Sequence, residues 1–283
     1  VPLSSLLPQS PGGAALEDVK RELDALVGLA PVKEYVLRLE QNVRVQQRRA
    51  AQGLKAGSVA MHMIFTGNPG TGKTTVARLI SKYLKAAGVL AGGQLIEVTR
   101  ADLVGKYVGH TAPLTTQVMN SALGGVLFID EAYSLYRGKD DSFGLEAIDT
   151  LVKGMEDHRG ELVVILAGYT KEMQAFLSAN SGLQSRFPNI VEFPDYTGAE
   201  LLQILKLQAK SRGYVLDARC DAPLLAYFNA VQLARARQAG NGRLARNKLE
   251  EAILAAARRT AADETADLSL LLAEDFELSD IGG

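Results

Sequence analysis

The sequence predicts an α/β protein: a mainly parallel five-stranded sheet with helices on both faces, followed by a smaller all-helical domain. Two observations predict this fold. Short apolar runs alternate with stretches of helical periodicity through the first two thirds of the chain, which is typical of parallel sheets joined by helical crossovers. After Pro194 the apolar runs stop and helical patterns continue alone. A chain of 283 residues can bury a core in each part.

The elements and domains are predicted in chain order. Residues 1–15, rich in Pro, Gly and Ser, are expected to be a flexible arm. The α/β domain is expected over 16–195, a helical lid over 196–262 and an acidic tail over 263–283. Strands are predicted over 61–66, 94–98, 125–130, 161–168 and 190–193. Helices are predicted over 16–27, 31–53, 73–87, 113–122, 143–157, 170–179, 197–212, 221–238 and 242–262.

Composition excludes several classes of protein. The net charge of −1 and the pI near 6.4 give no general attraction to nucleic acid or to anionic membranes. Cys220 is the only cysteine, so an intrachain disulfide is impossible, and a reducing compartment without structural zinc is expected. No apolar run approaches the length of a membrane span. We therefore expect a cytoplasmic protein with no membrane partner.

A glycine-rich segment, the phosphate loop at 67–74, carries the strongest motif. It reads G-x-x-x-x-G-K-T directly after a predicted strand. Its glycines let successive backbone N–H groups turn toward phosphate oxygens, Lys73 offers charge to the outer phosphates, and the Thr74 hydroxyl is a ligand for Mg²⁺. The helix that begins there directs the positive end of its dipole toward the anion. The sequence therefore predicts a site for ATP and Mg²⁺.

An acid pair follows the predicted strand at 125–130. Asp130 and Glu131 would lie at the carboxyl edge of the sheet, where ligands of open α/β sheets bind. Asp130 is expected to hold the hydrated Mg²⁺ through water, and Glu131 to orient and deprotonate the water that attacks the γ-phosphate. Such a pair can also be a helix cap or a solvated turn. The phosphate loop upstream favours hydrolysis over passive binding.

Several further motifs resemble those of the AAA+ ATPases, over about Leu23 to Arg259. Four segments resemble the red-type Rubisco activase branch: YVGHTAP at 107–113, GGVLFIDEAY at 124–133, LAGY at 166–169 and FPDY at 193–196. Two more, GLQSRFP at 182–188 and NGRLARN at 241–247, are similar to a sporulation-associated member of that branch. The resemblance implies a homo-oligomeric ring, six subunits by analogy, that hydrolyses ATP to remodel a protein client. A role in sporulation is a further expectation from it.

The resemblance gives roles to two arginines. Arg186 matches the arginine that projects into the nucleotide site of the neighbouring subunit, where its planar, permanently charged guanidinium meets phosphoryl oxygens. A surface salt bridge is the alternative. Arg243, at the start of a lid helix, matches a second sensor of the γ-phosphate, with Arg246 one turn later as the alternative.

The first sensor position falls on Tyr169, with Thr170 beside it, where the family usually has Asn, Ser or Thr; which of the two serves is left open. Val27 and Gly28 resemble the segment that lays backbone against adenine. The expected nucleotide contacts are Val27, Gly28, Asn68, Pro69, Gly70, Thr71, Gly72, Lys73, Thr74, Thr75 and Arg243.

Residues 105–109, between the second and third strands, resemble the pore loop with which AAA+ rings grip polypeptide. Tyr107, Val108 and Gly109 supply an aromatic ring, an aliphatic neighbour and a mobile backbone, and this combination demands no particular client sequence. A Tyr packed at a helix start is the alternative. Leu114 stands where the activase-like pattern has lysine, which weakens a specific link to Rubisco.

Charge is uneven in the last third of the chain. Residues 206–260 carry eleven basic and four acidic side chains, and residues 261–283 carry seven acids and no base. We expect the acidic tail to dock on its own lid or on a neighbour's and to damp assembly or activity; a solvated face beside a disordered tail is the alternative. The basic lid also leaves a nucleic-acid motor or loader as an alternative function. No aromatic residues interleave with those arginines, so nucleic acid is the less expected partner.

A third alternative function, the histidines and a polar loop are considered next to the main motifs. A small-molecule kinase ranks third among the functions, because Glu131, Arg186 and Arg243 would have no role in it. His62, His110 and His158 are scattered, so no metal site is expected among them. Asp140 and Asp141 are expected to be solvated in a polar loop after the acid pair.

Overall fold

The computed structural model describes residues 11–57 and 61–281, and these form two compact units that do not follow chain order. The sheet unit consists of residues 11–26, 30–57, 61–66 and 73–192. The lid unit consists of residues 27–29, 67–72 and 193–281. Most of the phosphate loop therefore belongs to the same compact unit as the lid helices, although it is flanked in the chain by the sheet.

The central sheet has five strands in the order β2-β3-β4-β1-β5. The strands are β1 (Met63–Gly67), β2 (Leu95–Val98), β3 (Val126–Ile129), β4 (Val163–Gly168) and β5 (Asn189–Phe193). The pairs β2/β3, β3/β4 and β1/β4 are parallel, with Val126 opposite Val163 and Met63 opposite Ile165. Strands β1, β3 and β4 are buried along their whole length, which is why they read as unbroken apolar runs.

Eight helices accompany the sheet in the described part of its unit. They are α1 (Pro11–Asp24), α2 (Ala30–Ala51), α3 (Lys73–Ala86), α4 (Arg100–Leu103), α5 (Thr111–Ala122), α6 (Ser142–Asp157), α7 (Thr170–Ala179) and α8 (Ser181–Gln184). Alternate strand residues such as Ile64 and Leu127 share a core with α5, α6 and α7. Their neighbours in sequence, Phe65 and Phe128, are equally buried and meet edge to face with ring centroids 6.5 Å apart. Both faces of the sheet are therefore covered.

The lid unit is mainly helical. Its helices are α9 (Gly198–Ser211), α10 (Asp221–Ala239) and α11 (Gly242–Ala261), and α9 begins with a capping box between Thr197 and Glu200. A short parallel pair joins β6 (Val215–Leu216) to β7 (Leu270–Leu271). Across the part of the chain that the structure describes, no helix is both long and apolar enough to span a bilayer.

The predicted fold class is confirmed, and the nine long helices and five sheet strands lie within a few residues of their predicted bounds. The N-terminus differs: α1 begins at Pro11, inside the stretch predicted as an arm, and residues 1–10 lie outside the described residues. The stretch predicted as a tail belongs to the lid unit over 263–281, where Leu271 and Phe276 are buried. The prediction counted the charges of this stretch and gave no weight to these apolar side chains. Elements of two to four residues, such as β6 and β7, were not predicted, because they are too short to show a period.

Candidate active site

Within the lid unit, residues 67–72 of the phosphate loop have a backbone that only glycine adopts easily at key positions. Gly70 and Gly72 have φ angles of 73° and 94°, in the left-handed region that L side chains disfavour. A Cβ atom on Gly70 would lie 1.9 Å from the carbonyl oxygen of Gly240. The glycine at position 70 is therefore required both by its own conformation and by the close approach of the lid backbone.

The carbonyl groups of residues 68–71 in this loop each accept a hydrogen bond. The bonds run from Thr71 Oγ1 to Asn68 O (2.8 Å), from Asn241 Nδ2 to Pro69 O (3.3 Å), from Gly242 N to Gly70 O (2.9 Å) and from Tyr196 Oη to Thr71 O (3.2 Å). In a trans peptide the C=O and N–H groups point in opposite directions. The N–H groups of residues 70–72 are thereby directed away from these donors, as an anion-binding loop requires.

Asn241 organises the lid side of the loop. Its side chain is buried, and its Oδ1 accepts hydrogen bonds from Tyr196 N and Gln232 Nε2, each at 2.9 Å. Its Nδ2 donates to Pro69 O and to Asp195 Oδ1. All four bonding positions of the amide are used. The sequence analysis cited Asn241 only as part of a motif; the signal available was an Asn-Gly pair at a helix junction.

The segment predicted to meet adenine also lies in the lid unit. Val27 and Leu29 are buried, and Gly28 and Leu29 have φ angles of 60° and 57°. A Cβ atom on Gly28 would lie 1.9 Å from Glu200 Oε2, so Gly28 is packed against the first turn of α9. Asn68, which follows the first glycine of the phosphate loop, donates to both carboxylate oxygens of Asp195 at 2.9 and 3.0 Å.

Arg243 and Arg246, the two candidates for the second sensor, lie in the first turns of α11. The Arg243 backbone N–H donates to Gly240 O at 2.9 Å, and both side chains are exposed. Their position at the start of a lid helix is the predicted one. The choice between them stays a prediction.

In the sheet unit, helix α3 begins at Lys73, the cationic residue of the phosphate loop. Lys73 and Thr74 are the first two residues of the helix and are half-buried, and Thr75 follows on the exposed side. A side chain at the first turn of a helix lies in the positive part of the helix dipole. This placement agrees with phosphate binding, and the individual contacts stay predictions.

Asp130 and Glu131 begin a sharp turn over residues 130–135, which we call the acid turn. Asp130 follows β3; its N–H donates to Val98 O at 2.9 Å and its Oδ1 accepts from Glu131 N at 2.9 Å. Glu131 is exposed and has a left-handed backbone with φ 48° and ψ 46°. A residue other than glycine pays about 1–3 kcal/mol for such a conformation, and such residues concentrate at functional sites. Ala132 and Leu135 are buried and anchor the turn in the core.

Tyr169 caps α7 after β4, and its ring stacks on that of Tyr133, with centroids 6.0 Å apart and planes at 26°. Burial, followed by the negative charge of Glu131, raises the pKa of Tyr133 to about 12. The Tyr133 phenol therefore stays protonated at neutral pH and can donate a hydrogen bond. Sequence reasoning did not propose Tyr133, although it stands only two residues after Glu131.

Asp141 corrects one expectation. It was predicted to be solvated, but its side chain is only 12% exposed and forms a two-bond pair with Arg100, whose side chain is 16% exposed. The distances are 2.5 Å from Nη1 to Oδ2 and 2.9 Å from Nη2 to Oδ1. Asp141 also caps α6 by accepting from Gly144 N at 3.1 Å. The hydrogen bonds from Arg100 lower the pKa of Asp141 to about 2. The prediction was wrong because the partner lies 41 residues away in the chain.

Arg186 follows α8 and contacts its own chain. The guanidinium pairs with the Glu156 carboxylate of α6, and its Nη1 donates to Gly182 O at 2.6 Å. The salt bridge weighed as the alternative in the sequence analysis is therefore present in the single chain. A role toward a neighbouring subunit stays a prediction, and that role requires Arg186 to leave Glu156.

The pore loop at 105–109 is exposed at its tip and fixed at its base. Tyr107 and Val108 are 67% and 88% exposed, and Gly109 has a φ of 82°. At the base, Gly105 N donates to the buried hydroxyl of Thr111 at 3.0 Å. The Tyr107 ring meets that of His110, the residue before α5, nearly edge to face with centroids 5.5 Å apart, and the side chain is mostly exposed. A role of this loop in gripping polypeptide stays a prediction.

A hydroxyl and a carboxylate of the sheet unit fit a bound Mg²⁺. The ion keeps several waters and needs one or two protein oxygens beside the phosphates, and Thr74 and Asp130 offer these. Within residues 11–57 and 61–281, no group of three or more His, Cys, Asp or Glu side chains forms a metal cage of its own.

Two family models match the chain in succession. The ATPase family associated with various cellular activities (AAA) matches residues 63–195, and an AAA lid domain matches residues 197–281. Stage V sporulation protein K of Bacillus subtilis (strain 168) is 46% identical over 269 residues, which cover 94% of this chain and 84% of that protein. The chain belongs to the AAA ATPase family.

Other known proteins agree with this membership. The chloroplastic ribulose bisphosphate carboxylase/oxygenase activase of Cyanidioschyzon merolae (strain NIES-3377 / 10D) is 44% identical over 245 residues, covering 86% of this AAA ATPase and 82% of the activase. The solved FIGL-1 AAA domain in complex with ADP has the same fold, with a TM-score of 0.60 at 20% identity, over 89% of this chain and 80% of that one. The protein binds nucleotide and hydrolyses ATP.

Proposed function

We propose that this AAA ATPase assembles into a homo-oligomeric ring, six-membered by analogy, and uses ATP hydrolysis to remodel a protein client drawn through a central pore. The observation that carries the proposal is the pore loop. Its two apolar side chains, Tyr107 and Val108, are the most exposed part of a segment whose base is buried and hydrogen-bonded. An exposed aromatic tip on a fixed base suits a grip on extended polypeptide.

The catalytic roles follow from the placement of charges. We assign Lys73 to the outer phosphates, Thr74 and Asp130 to Mg²⁺, and Glu131 to the attacking water as general base. Mg²⁺, when bound, neutralises charge on the phosphates. The N–H groups of 70–72 would bind phosphate oxygens, with their direction set by the hydrogen bonds of the loop carbonyls.

The remaining nucleotide contacts are proposed from the positions of their residues. Val27 and Gly28 would contact adenine, which agrees with their place in the same unit as the phosphate loop, where Val27 is buried and Gly28 half-buried. Arg243, or Arg246 in its place, would sense the γ-phosphate from the lid. Tyr169, or Thr170 beside it, would act as first sensor, and the stacking of Tyr169 on Tyr133 supports the tyrosine.

Arg186 is proposed to complete the site of a neighbouring subunit. A single chain would then bind ATP and hydrolyse it slowly, because a guanidinium supplied by a partner is worth about 10³–10⁵ in rate. The Arg186 and Glu156 side chains are 30% and 50% exposed, so their pair is partly solvated and its strength is reduced by solvent screening.

The client and the cellular setting are proposed from the relatives. The name of stage V sporulation protein K refers to sporulation, and we propose a role in sporulation for this chain. The activase names Rubisco, but Leu114 in place of the usual lysine argues against that client. Cys220 is buried, and its burial raises its pKa to about 11, which suits a reduced thiol in the cytoplasm.

The nucleic-acid alternative loses its main support in the lid unit. Much of the basic surplus is paired internally: Lys206 with Asp221, Arg212 with Glu250, Arg219 with Asp217, Lys248 with Asp280, and Arg259 with Asp275. Basic side chains that already hold carboxylates offer less charge to phosphates.

A binding experiment separates the two functions. Glu131→Gln protein loaded with ATP is mixed with casein, as an unfolded polypeptide, or with single-stranded DNA. We expect retention of casein, loss of that retention on Tyr107→Ala, and no loss on Leu268→Ala, which removes another highly exposed apolar side chain. Retention of DNA instead, with no effect of Tyr107→Ala, would overturn the proposal.

A further inference from the structure

We infer that the Arg100–Asp141 ion pair is a positioning pair that ties the acid turn to the pore loop, so that nucleotide-dependent changes at Glu131 alter the placement of Tyr107. The inference rests on the proposed function, since it assigns the means by which hydrolysis reaches the pore loop. All of the groups involved lie in the sheet unit.

The first step links Arg100 to the acid turn. Besides its pair with Asp141, Arg100 Nη1 donates to Ser134 O at 2.8 Å. The N–H of the same Ser134 donates to Glu131 O at 2.9 Å. Ser134 is thus bonded on one side to the proposed base and on the other to Arg100. A change of backbone at Glu131 therefore acts directly on an acceptor of the Arg100 guanidinium.

The second step links Arg100 to the pore loop. Arg100 is the first residue of α4, which ends at Leu103, and the pore loop starts two residues later. Leu103 is buried, and its carbonyl accepts from the buried Thr115 hydroxyl at 2.9 Å. Only Val104 lies between the end of α4 and the base of the loop, so a displacement of α4 would reach the loop that carries Tyr107.

The acid turn is suited to change state. Glu131 holds a left-handed backbone that costs free energy, and it lies where the nucleotide is proposed to bind. Relief of that conformation on binding or release of a γ-phosphate would act on the backbone that follows Glu131. Ala132 and Leu135 are packed in the core, so Ser134, half-exposed between them, is the part of the turn that can transmit the change.

The pair itself is specific because it is desolvated and bidentate. A guanidinium meets a carboxylate with two parallel hydrogen bonds and keeps a further N–H for Ser134, whereas a lysine offers a single point charge. Arg137 N also donates to Asp141 Oδ2, at 3.3 Å, which fixes the carboxylate between the acid turn and α6. An exposed pair would provide stability of this kind only weakly and would provide no fixed geometry.

The experiment uses a fluorescent reporter at the pore loop. The chain has no tryptophan, so Tyr107→Trp introduces the sole one. Its emission is measured with ADP and with a non-hydrolysable ATP analogue, in the presence of Mg²⁺. The test variant adds Arg100→Ala and Asp141→Asn together, which removes the pair without leaving a buried lone charge, while the Asn oxygen still caps α6. Arg38→Ala with Glu34→Gln, an exposed pair on α2, is the matched control.

The reporter protein and the matched control should show the same change of emission between the two nucleotides. In the paired variant this change should fall about threefold or more, with analogue affinity preserved, at a temperature well below its unfolding midpoint. The reporter protein with Arg100→Lys alone should keep only part of this change of emission. A full change in the paired variant, or no change in the reporter protein, overturns the inference. Failure of the Glu131→Gln protein to retain casein would instead count against the proposed function.

Discussion

The two compact units carry different parts of the predicted nucleotide-binding chemistry. The sheet unit carries the charged side chains Lys73, Asp130, Glu131 and Arg186, and the lid unit carries a backbone cradle at residues 67–72. In the lid unit, each carbonyl of residues 68–71 accepts a hydrogen bond. This difference predicts which kinetic or binding property a substitution in each unit changes. Substitutions in the sheet unit should lower the rate, and backbone changes in the lid unit should lower nucleotide affinity.

The largest expected effect tests whether the sheet unit acts across subunits. Arg186→Ala should lower kcat about 10³–10⁵-fold with ATP affinity retained, because charge developing on the phosphates loses its cation. ATPase rate is measured against protein concentration, since the parent rate should rise with assembly. Glu156→Ala, which removes only the partner of Arg186 in its own chain, should keep the parent rate or exceed it. A parent rate that is independent of concentration would contradict this role.

The second prediction separates the two acids. Glu131→Gln should lower kcat about 10²–10⁴-fold and leave ATP binding intact, because the amide cannot accept the proton of the water. Asp130→Asn should mainly raise the Mg²⁺ concentration needed for half-maximal rate. Single-turnover hydrolysis and Mg²⁺ titrations measure both. Equal Mg²⁺ dependence in the two variants would remove the division of roles.

The third prediction concerns the stability of the lid unit. Asp275 is only 2% exposed and Arg259 is an ionic partner of its carboxylate, so Arg259→Met should lower the urea midpoint of this unit, because it leaves a buried carboxylate without that partner. Arg258→Met is the matched control, since its side chain is exposed, and it should have little effect. Urea unfolding followed by circular dichroism provides the measurement. An equal loss in both variants would mean that residues 263–281 add nothing through this contact.

The fourth prediction tests the backbone cradle. Gly70→Ala should weaken ATP binding about tenfold or more while kcat at saturation changes little, because the left-handed conformation costs about 1–2 kcal/mol and the new Cβ meets Gly240 O. Gly88→Ala is matched, since Gly88 has the same φ of 73° with nothing within 4 Å of its Cβ position. Titration with a fluorescent nucleotide measures the affinity of each variant. Equal affinities in the two variants would refute the contact.

The smallest expected effect is a pH dependence in the sheet unit. Because Arg100 holds the pKa of Asp141 at about 2, below its unfolded value near 3.9, the pair stabilises the fold above pH 4. This contribution is lost as pH falls from about 4 toward 2. The difference in unfolding free energy between parent and Asp141→Asn should therefore be constant from pH 7 to 5 and shrink at pH 4 and 3. A difference that grows on acidification would mean that Asp141 is not the stabilised carboxylate.

Motifs whose chemistry lies in neighbouring residues were readable from the sequence. The phosphate loop and the Asp130–Glu131 pair each combine a strand with residues that follow it directly, and periodicity predicted the strands themselves. Arg100 and Asp141 lie 41 positions apart, and Asn241 lies 46 positions from Asp195 and 172 from Pro69. Local pattern carries no information on such pairs. The direction of Arg186 was open for the same reason, since Glu156 lies 30 residues before it.

The four hydrogen bonds of Asn241 also bear on the ageing of the protein. Its amide nitrogen donates to one carbonyl and one carboxylate, so conversion of that amide to an acid would set like charges against each other at Asp195. Asn is among the thermolabile residues, and here it precedes Gly242. Stored preparations are therefore best monitored by peptide mass at this position, because one chemical lesion there would remove two contacts at once.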